Sequence, residues 1–368
     1  MNTAELRGLA QLACQAVAGT ADRVEEMHLA IAQRSFRASG PFGRPAHLLH
    51  NAVARTAYAG VRLAGRLGGS AAARLPLQMA GPSLADSRRG RFALGALNGA
   101  LGDRLEREGS GLRIQMTLTP TGAAAPRIAV FLHGLMETED SWGNGSGTYA
   151  SRLQRDLGHT PVQVRYNTGL PVSENGRLLC SLLQELVAGW PVPVEEVVLV
   201  GHSMGGLVAH SACHHAALQG ARWLEPLHHV VCLGCPHLGA PLEKAAHATA
   251  YVLHLVPETR ALARIVDGRS AGIRDLRLGY ASAAEPAGRA AHRFVAATLG
   301  REPDSLVSRL LGDIFVRLPS ASAIPEGRHL GGLNHFDLLN HPAVYEQIRE
   351  WLRPAGGGKR PQQPALSG

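Results

Sequence analysis

The chain has 368 residues, 45% of them hydrophobic and 18% charged. At roughly 100 to 200 residues per domain this length allows two domains, or one large domain with an extension, and the balance of residue types excludes a wholly disordered or fibrous chain. The formal charge of +8 suggests nucleic acid until its placement is considered. Between Met27 and Ala85 stand Arg34, Arg37, Arg44, Arg55, Arg62, Arg66 and Arg74 and no acid. That stretch has no zinc-finger, RRM or basic-zipper spacing, so no nucleic-acid partner is expected.

No apolar run is long enough to cross a bilayer. Residues 8–21 are short for a secretion signal, carry Gln11 and Gln15, and run into a charged amphipathic segment. Five cysteines, an odd number, suit reduced thiols, and a cytoplasmic location is expected. Cys232 and Cys235 form a C-x-x-C, and His210 and His214 stand four apart, but neither group has the further ligands of a metal site. Both read as packing residues.

Residues 6–37 have helical periodicity, broken by Ser39-Gly40-Pro41. A second helix is expected over 46–67, with Leu49, Val53, Leu63 and Leu67 apart from Arg55, Arg62 and Arg66, and a third over 91–108. A half-exposed strand follows over 112–119, with Ile114, Met116 and Leu118 alternating. A domain boundary is placed near Gly109. Beyond it apolar strands at 128–132, 162–166, 197–200, 230–233 and 294–299 alternate with helices at 148–157, 174–189 and 205–218, ending in a helix at 342–352. That alternation predicts an α/β fold, a mostly parallel sheet covered by helices on both faces. The interval 236–291 is too long for a simple crossover and reads as a helical lid, with helices at 243–255 and 258–267. The tail, 354–368, is expected to be disordered.

Gly201-His202-Ser203-Met204-Gly205 spells G-x-S-x-G, and so does Gly268-Arg269-Ser270-Ala271-Gly272. Context separates them. The first follows the apolar strand ending at Val200 and precedes the small residues Gly206-Leu207-Val208-Ala209, the setting of a strand-to-helix elbow that exposes a serine. The second has neither flank, and Ser270 reads as a lid turn. A serine hydroxyl needs a base, itself oriented by an acid further along the chain. His335, in the loop before the last helix, is the expected base; His341, beside Pro342, reads as a helix-start residue. Asp313, after Gly312, is the expected acid, with Asp304, Asp337 and Asp275 as alternatives. The oxyanion donors are expected to be the backbone N–H groups of Met204 and of Leu135, in His133-Gly134-Leu135 after the first parallel strand.

These motifs, with Pro236-His237-Leu238-Gly239, Gly312-Asp313 and Asn334-His335, resemble the α/β-hydrolase superfamily on its lipase and GPI inositol-deacylase-like side over roughly residues 112–352. The resemblance implies an esterase or lipase with Ser203, Asp313 and His335 as triad and no cofactor. The partner implied is a lipid or small-molecule ester. A thioesterase or acyltransferase, and a non-catalytic relative binding lipid or a partner, are the alternatives. One departure is Gly234-Cys235, where the family often has Gly-Thr. The arginine-bearing N-terminal helices, 1–109, lie outside the common fold. The helix around Arg55 to Leu67 is expected to pack on the α/β half (110–353) with its arginines solvated; the competing reading is peripheral contact of the N-terminal helices with an anionic membrane.

Overall fold

The computed structural model describes residues 1–38, 44–74, 81–143, 145–236, 268–276, 290–298 and 327–353. Short apolar runs bounded by turn residues become strands. Among the described residues β1 (Thr117–Pro120), β2 (Arg127–Leu132), β3 (His159–Arg165), β4 (Glu196–His202), β5 (Leu227–Leu233), β6 (Ala291–Thr298) and β7 (Gly327–Gly331) form a seven-stranded sheet in the order β1-β3-β2-β4-β5-β6-β7. The edge pair β1 and β3 is antiparallel, and the remaining pairs are parallel.

Successive side chains of a strand point to opposite faces, so each central strand feeds two cores. Val130, Leu132 and Leu199 meet Leu179 and Leu183 of α5 (Val172–Ala188) and Leu207 and Val208 of α6 (Met204–Gln219) on one face. Phe131, Val198 and Val200 meet Leu153 of α4 (Tyr149–Leu157) and Val344, Tyr345 and Ile348 of α8 (Pro342–Leu352) on the other. A short helix, α7 (Ala271–Asp275), lies between β5 and β6 in the chain. This is the α/β-hydrolase fold.

N-terminal to the sheet, α1 (Thr3–Ala38) pairs with α2 (Arg44–Arg74), both longer than the sequence periodicity predicts. The third helix, α3 (Arg88–Arg107), packs on the α/β half. The strand expected over 112–119 forms at Thr117–Pro120 alone. Leu112 and Ile114 are buried with Leu94 and Leu105 of α3 instead. The buried Asn98 side chain donates to the Leu112 carbonyl and accepts from the Ile114 N–H, each at 2.9 Å, so a side chain takes the place of a neighbouring strand. β7 is an addition the sequence reading lacks. The helices expected at 243–255 and 258–267, residue 299 and the tail lie outside the described residues. Among the described residues no helix is long and apolar enough to cross a membrane.

Candidate active site

β4 ends at His202 and α6 begins at Met204, so the chain reverses on Ser203. Ser203 has φ 52° and ψ −120°, a left-handed backbone that residues with a Cβ rarely adopt. A Cβ on Gly201 would lie 2.4 Å from the Gly206 nitrogen, and one on Gly205 2.4 Å from the Leu132 carbonyl oxygen. The turn is this tight because the strand and helix backbones touch. The Ser203 N–H donates to the Leu233 carbonyl at 2.8 Å, tying the elbow to β5. Its hydroxyl does not cap α6. The Met204 N–H stands in the first turn of α6, where a helix has no internal acceptor and its dipole end is positive.

After β2 the chain enters the loop that carries Leu135. The Tyr166 hydroxyl donates to the His133 carbonyl at 2.6 Å, and the two rings stack at 4.4 Å. Burial pushes the His133 imidazole below its ordinary pKa, and its Nδ1 lies 3.0 Å from the Gly134 carbonyl oxygen. The Gly134 N–H donates to Glu137 Oε2 at 2.8 Å, closing the loop. Met136 has φ 60°; among the described residues it shares positive φ with Ser203 alone of the non-glycines. Two contacts hold that strain. The Met136 N–H donates to Thr168 Oγ1 at 3.1 Å, and α3 presses against the loop through a glycine seam. A Cβ on Gly95 would lie 2.8 Å from the Thr138 side chain, one on Gly99 2.3 Å from Met136 Cγ, and one on Gly102 1.8 Å from Asn167 Oδ1. Arg91 of α3 adds two hydrogen bonds to the Asp140 carboxylate, at 2.6 and 3.1 Å.

His335 opens a 3₁₀ turn (His335–Leu339) capped by Asn334, whose side chain accepts from the Phe336 and Asp337 N–H groups. Its side chain is buried, with its ring centroid 4.7 Å from that of His202. Gly234, just past β5 with φ 61°, makes room for it: a Cβ there would lie 3.1 Å from His335 Nδ1 and 2.8 Å from Leu338. His202 lies between the loops. Its Nδ1 is 3.2 and 3.3 Å from the two Glu137 carboxylate oxygens, and its Nε2 is 3.1 Å from the His335 carbonyl oxygen. The imidazole and the Gly134 N–H hold the Glu137 carboxyl down at about 2, against the opposing effect of its burial.

Ser203, Met204, Leu135 and His335 thus gather at the ends of the central strands. Asp313 and Asp304 lie outside the described residues. Asp275 accepts from the Val172 N–H at 2.9 Å, and Asp337 accepts from the Asn334 N–H at 2.8 Å, so both serve local structure. His341 caps α8 through Nδ1. Cys235 fills the space beneath the elbow, 2.1 Å from where a Cβ on Gly206 would be. Cys232 lies 3.2 Å from His210 Nε2, its thiol pushed far up by burial. Among the described residues no three His, Cys, Asp or Glu side chains form a metal-sized group. The sequence reading missed Glu137, His202, Gly234 and the α3 glycines; the spacing Gly95, Gly99, Gly102 was a readable signal of close helix packing.

The family model of the PGAP1-like alpha/beta domain matches residues 178–266, a segment that contains the elbow. Among solved structures, the lipase BlEst2 of Bacillus licheniformis in propeptide form is 19% identical, over 67% of this chain and 56% of that one, with a TM-score of 0.48. MenH of S. aureus is 12% identical over 64% and 97% of the two chains, with a TM-score of 0.37. The type II thioesterase YbtT of a yersiniabactin pathway is 16% identical over 63% and 96%, with a TM-score of 0.34. No curated protein matches the chain.

Proposed function

We propose that the protein is a serine hydrolase of carboxylic esters, acting on fatty acyl esters through an acyl-enzyme. The observation that carries the reading is the strained backbone of Ser203 at the start of α6, next in the chain to His202, whose ring lies 4.7 Å from that of the buried His335. Strain of this kind persists where the surroundings hold it, and it keeps the hydroxyl off the helix it precedes. In this mechanism Ser203 attacks the ester carbonyl while His335 takes its proton. The tetrahedral oxyanion is met by the Met204 and Leu135 N–H groups, and His335 returns the proton to the departing alcohol. Water then repeats the sequence on the acyl-enzyme and releases the acid. Asp313 is the proposed orienter of His335. Exposed Met136 and Phe336 flank the loops and supply apolar surface for an acyl chain.

The proposed partner of the N-terminal helices is an anionic lipid surface. On α2, Leu49, Val53, Leu63 and Leu67 are each more than half exposed. At 100° per residue they share the side opposite Ala54 and Gly65, which are buried. Arg55 and Arg66 lie beside them, whereas Arg62 on the same side pairs with Asp22 and Glu25 of α1. Co-sedimentation with anionic vesicles that Leu63→Asp with Leu67→Asp abolishes supports the contact; equal recovery on neutral vesicles removes the charge argument.

The catalytic reading is tested by a fluorophosphonate probe on the full chain, with the adduct located by mass spectrometry. An adduct on Ser203 that Ser203→Ala removes supports it. An adduct on Ser270, or none on folded protein, overturns it.

A further inference from the structure

The Glu137 and His202 pair has no part in the chemistry above, yet it spans three loops of the site. Both nitrogens of His202 face acceptors. Nδ1 faces the Glu137 carboxylate and Nε2 faces the His335 carbonyl oxygen at 3.1 Å. A carbonyl oxygen cannot donate, and the Glu137 carboxyl already accepts from the Gly134 N–H through Oε2, so it faces His202 as an acceptor too. A neutral imidazole carries one N–H, so one of its nitrogens would turn a lone pair on an oxygen lone pair; only the imidazolium donates both ways. His202 is fully buried, where an unpaired charge is costly, and the carboxylate at its edge supplies the counter-charge.

We propose that His202 is a permanent imidazolium, a positioning group that ties the oxyanion loop, the elbow and the His335 loop into one unit. The path is continuous: the Gly134 N–H donates to Glu137, Glu137 accepts from His202, and His202 donates to the His335 backbone. The peptide before Leu135, the residue before Ser203 and the backbone of the base are thereby held in one network. Among the described residues the titratable groups near the pair include the rings of His335, 4.7 Å from His202, and of His133, and the Tyr166 hydroxyl, which is close enough to feel the Glu137 charge. The rings of Trp142 and Phe336 each stand 6.4 Å from that of His202. A fixed positive charge beside the His335 ring also disfavours a second one there, which keeps His335 in its basic form.

The effect on catalysis rests on the esterase reading, whereas the protonation state is read without substrate. The measurement is ¹H–¹⁵N NMR of the imidazoles in the full chain labelled with ¹⁵N-histidine. The expected result is one histidine with both ring nitrogens protonated at pH 8, well above the ordinary imidazole range near 6.5. Its signals are absent in His202→Gln and become those of a neutral ring in Glu137→Gln. A spectrum with no doubly protonated histidine at pH 8 overturns the proposal in wild-type protein alone, whether or not either variant folds. So does a doubly protonated histidine that persists in folded His202→Gln. In kinetics, Glu137→Gln is expected to lower kcat on the order of 10²-fold with a smaller change in KM, as a misplaced site does. His202→Gln, which leaves the Glu137 carboxylate, is expected to move the acid limb of kcat/KM to higher pH. An unchanged limb and unchanged kcat in both variants overturn the positioning role. Fluorophosphonate labelling of Ser203 that persists beside a neutral His202 separates failure of this proposal from failure of the esterase reading.

Discussion

The segments around Ser203 and Ser270 spell the same five-residue motif, and the closing glycine of each has the same job. A Cβ on Gly205 would stand 2.4 Å from the Leu132 carbonyl oxygen, and one on Gly272 2.0 Å from that of Thr168. In both cases two backbones meet. The serines differ. Ser270 has φ −58° and ψ 160°, caps α7 by accepting from the Ile273 N–H, and donates to the Gly99 carbonyl at 2.6 Å. It is 1% exposed, and its hydroxyl is engaged on both sides. Ser203 sits at φ 52° without capping its helix. The motif therefore encodes a close approach, and the preceding strand converts it into a strained strand-to-helix elbow.

The largest difference between the two segments is expected in turnover. Ser203→Ala should lower kcat for a chromogenic acyl ester by about 10⁴-fold or more, and Ser270→Ala should leave it unchanged. Equal losses in the two variants would erase the distinction. Next come the glycines. Gly205→Ala and Gly272→Ala should each cost more than about 3 kcal/mol in urea denaturation, because the opposing atoms are backbone.

Acid separates the Ser203 side further, since it alone contains the Glu137 and His202 pair. Glu137 falls from 4.5 in the unfolded reference to about 2 in the folded chain. The stabilisation, on the order of 3 kcal/mol, is complete above pH 4.5 and is lost as pH falls toward 2. Urea midpoints at pH 5.5 and pH 3 should converge for Glu137→Gln relative to wild type. The smallest effect belongs to the cap: Ser270→Ala should cost about 1 kcal/mol, visible as a lower midpoint with activity intact.

Much of the architecture could be read from local pattern. Val197 to Val200 is apolar and β-branched, and the small residues after Ser203 open a helix, so the elbow was visible before any contact was known. Pro342 marked the start of α8 within its sequence, and His341 as its cap. β7 was not visible. Gly327, Arg328, His329, Leu330 and Gly331 have no strand pattern, and pairing with β6 is what makes them a strand. Leu112 and Ile114 have the alternation of a strand, but the Asn98 side chain takes their backbone groups first.

The sequence by itself determined the alternation of strands and helices, the Ser203 elbow and the order of the candidate groups along the chain. These depend on hydrophobic period and on glycine, which act within a few residues. Tertiary structure alone decided that α3 presses its glycine seam on Met136, that Gly234 makes room for His335, and that Glu137 and the His335 carbonyl meet on opposite edges of His202. Each of these joins groups distant in the chain, and their energy comes from burial and hydrogen-bond direction, which exist only once the layers have packed.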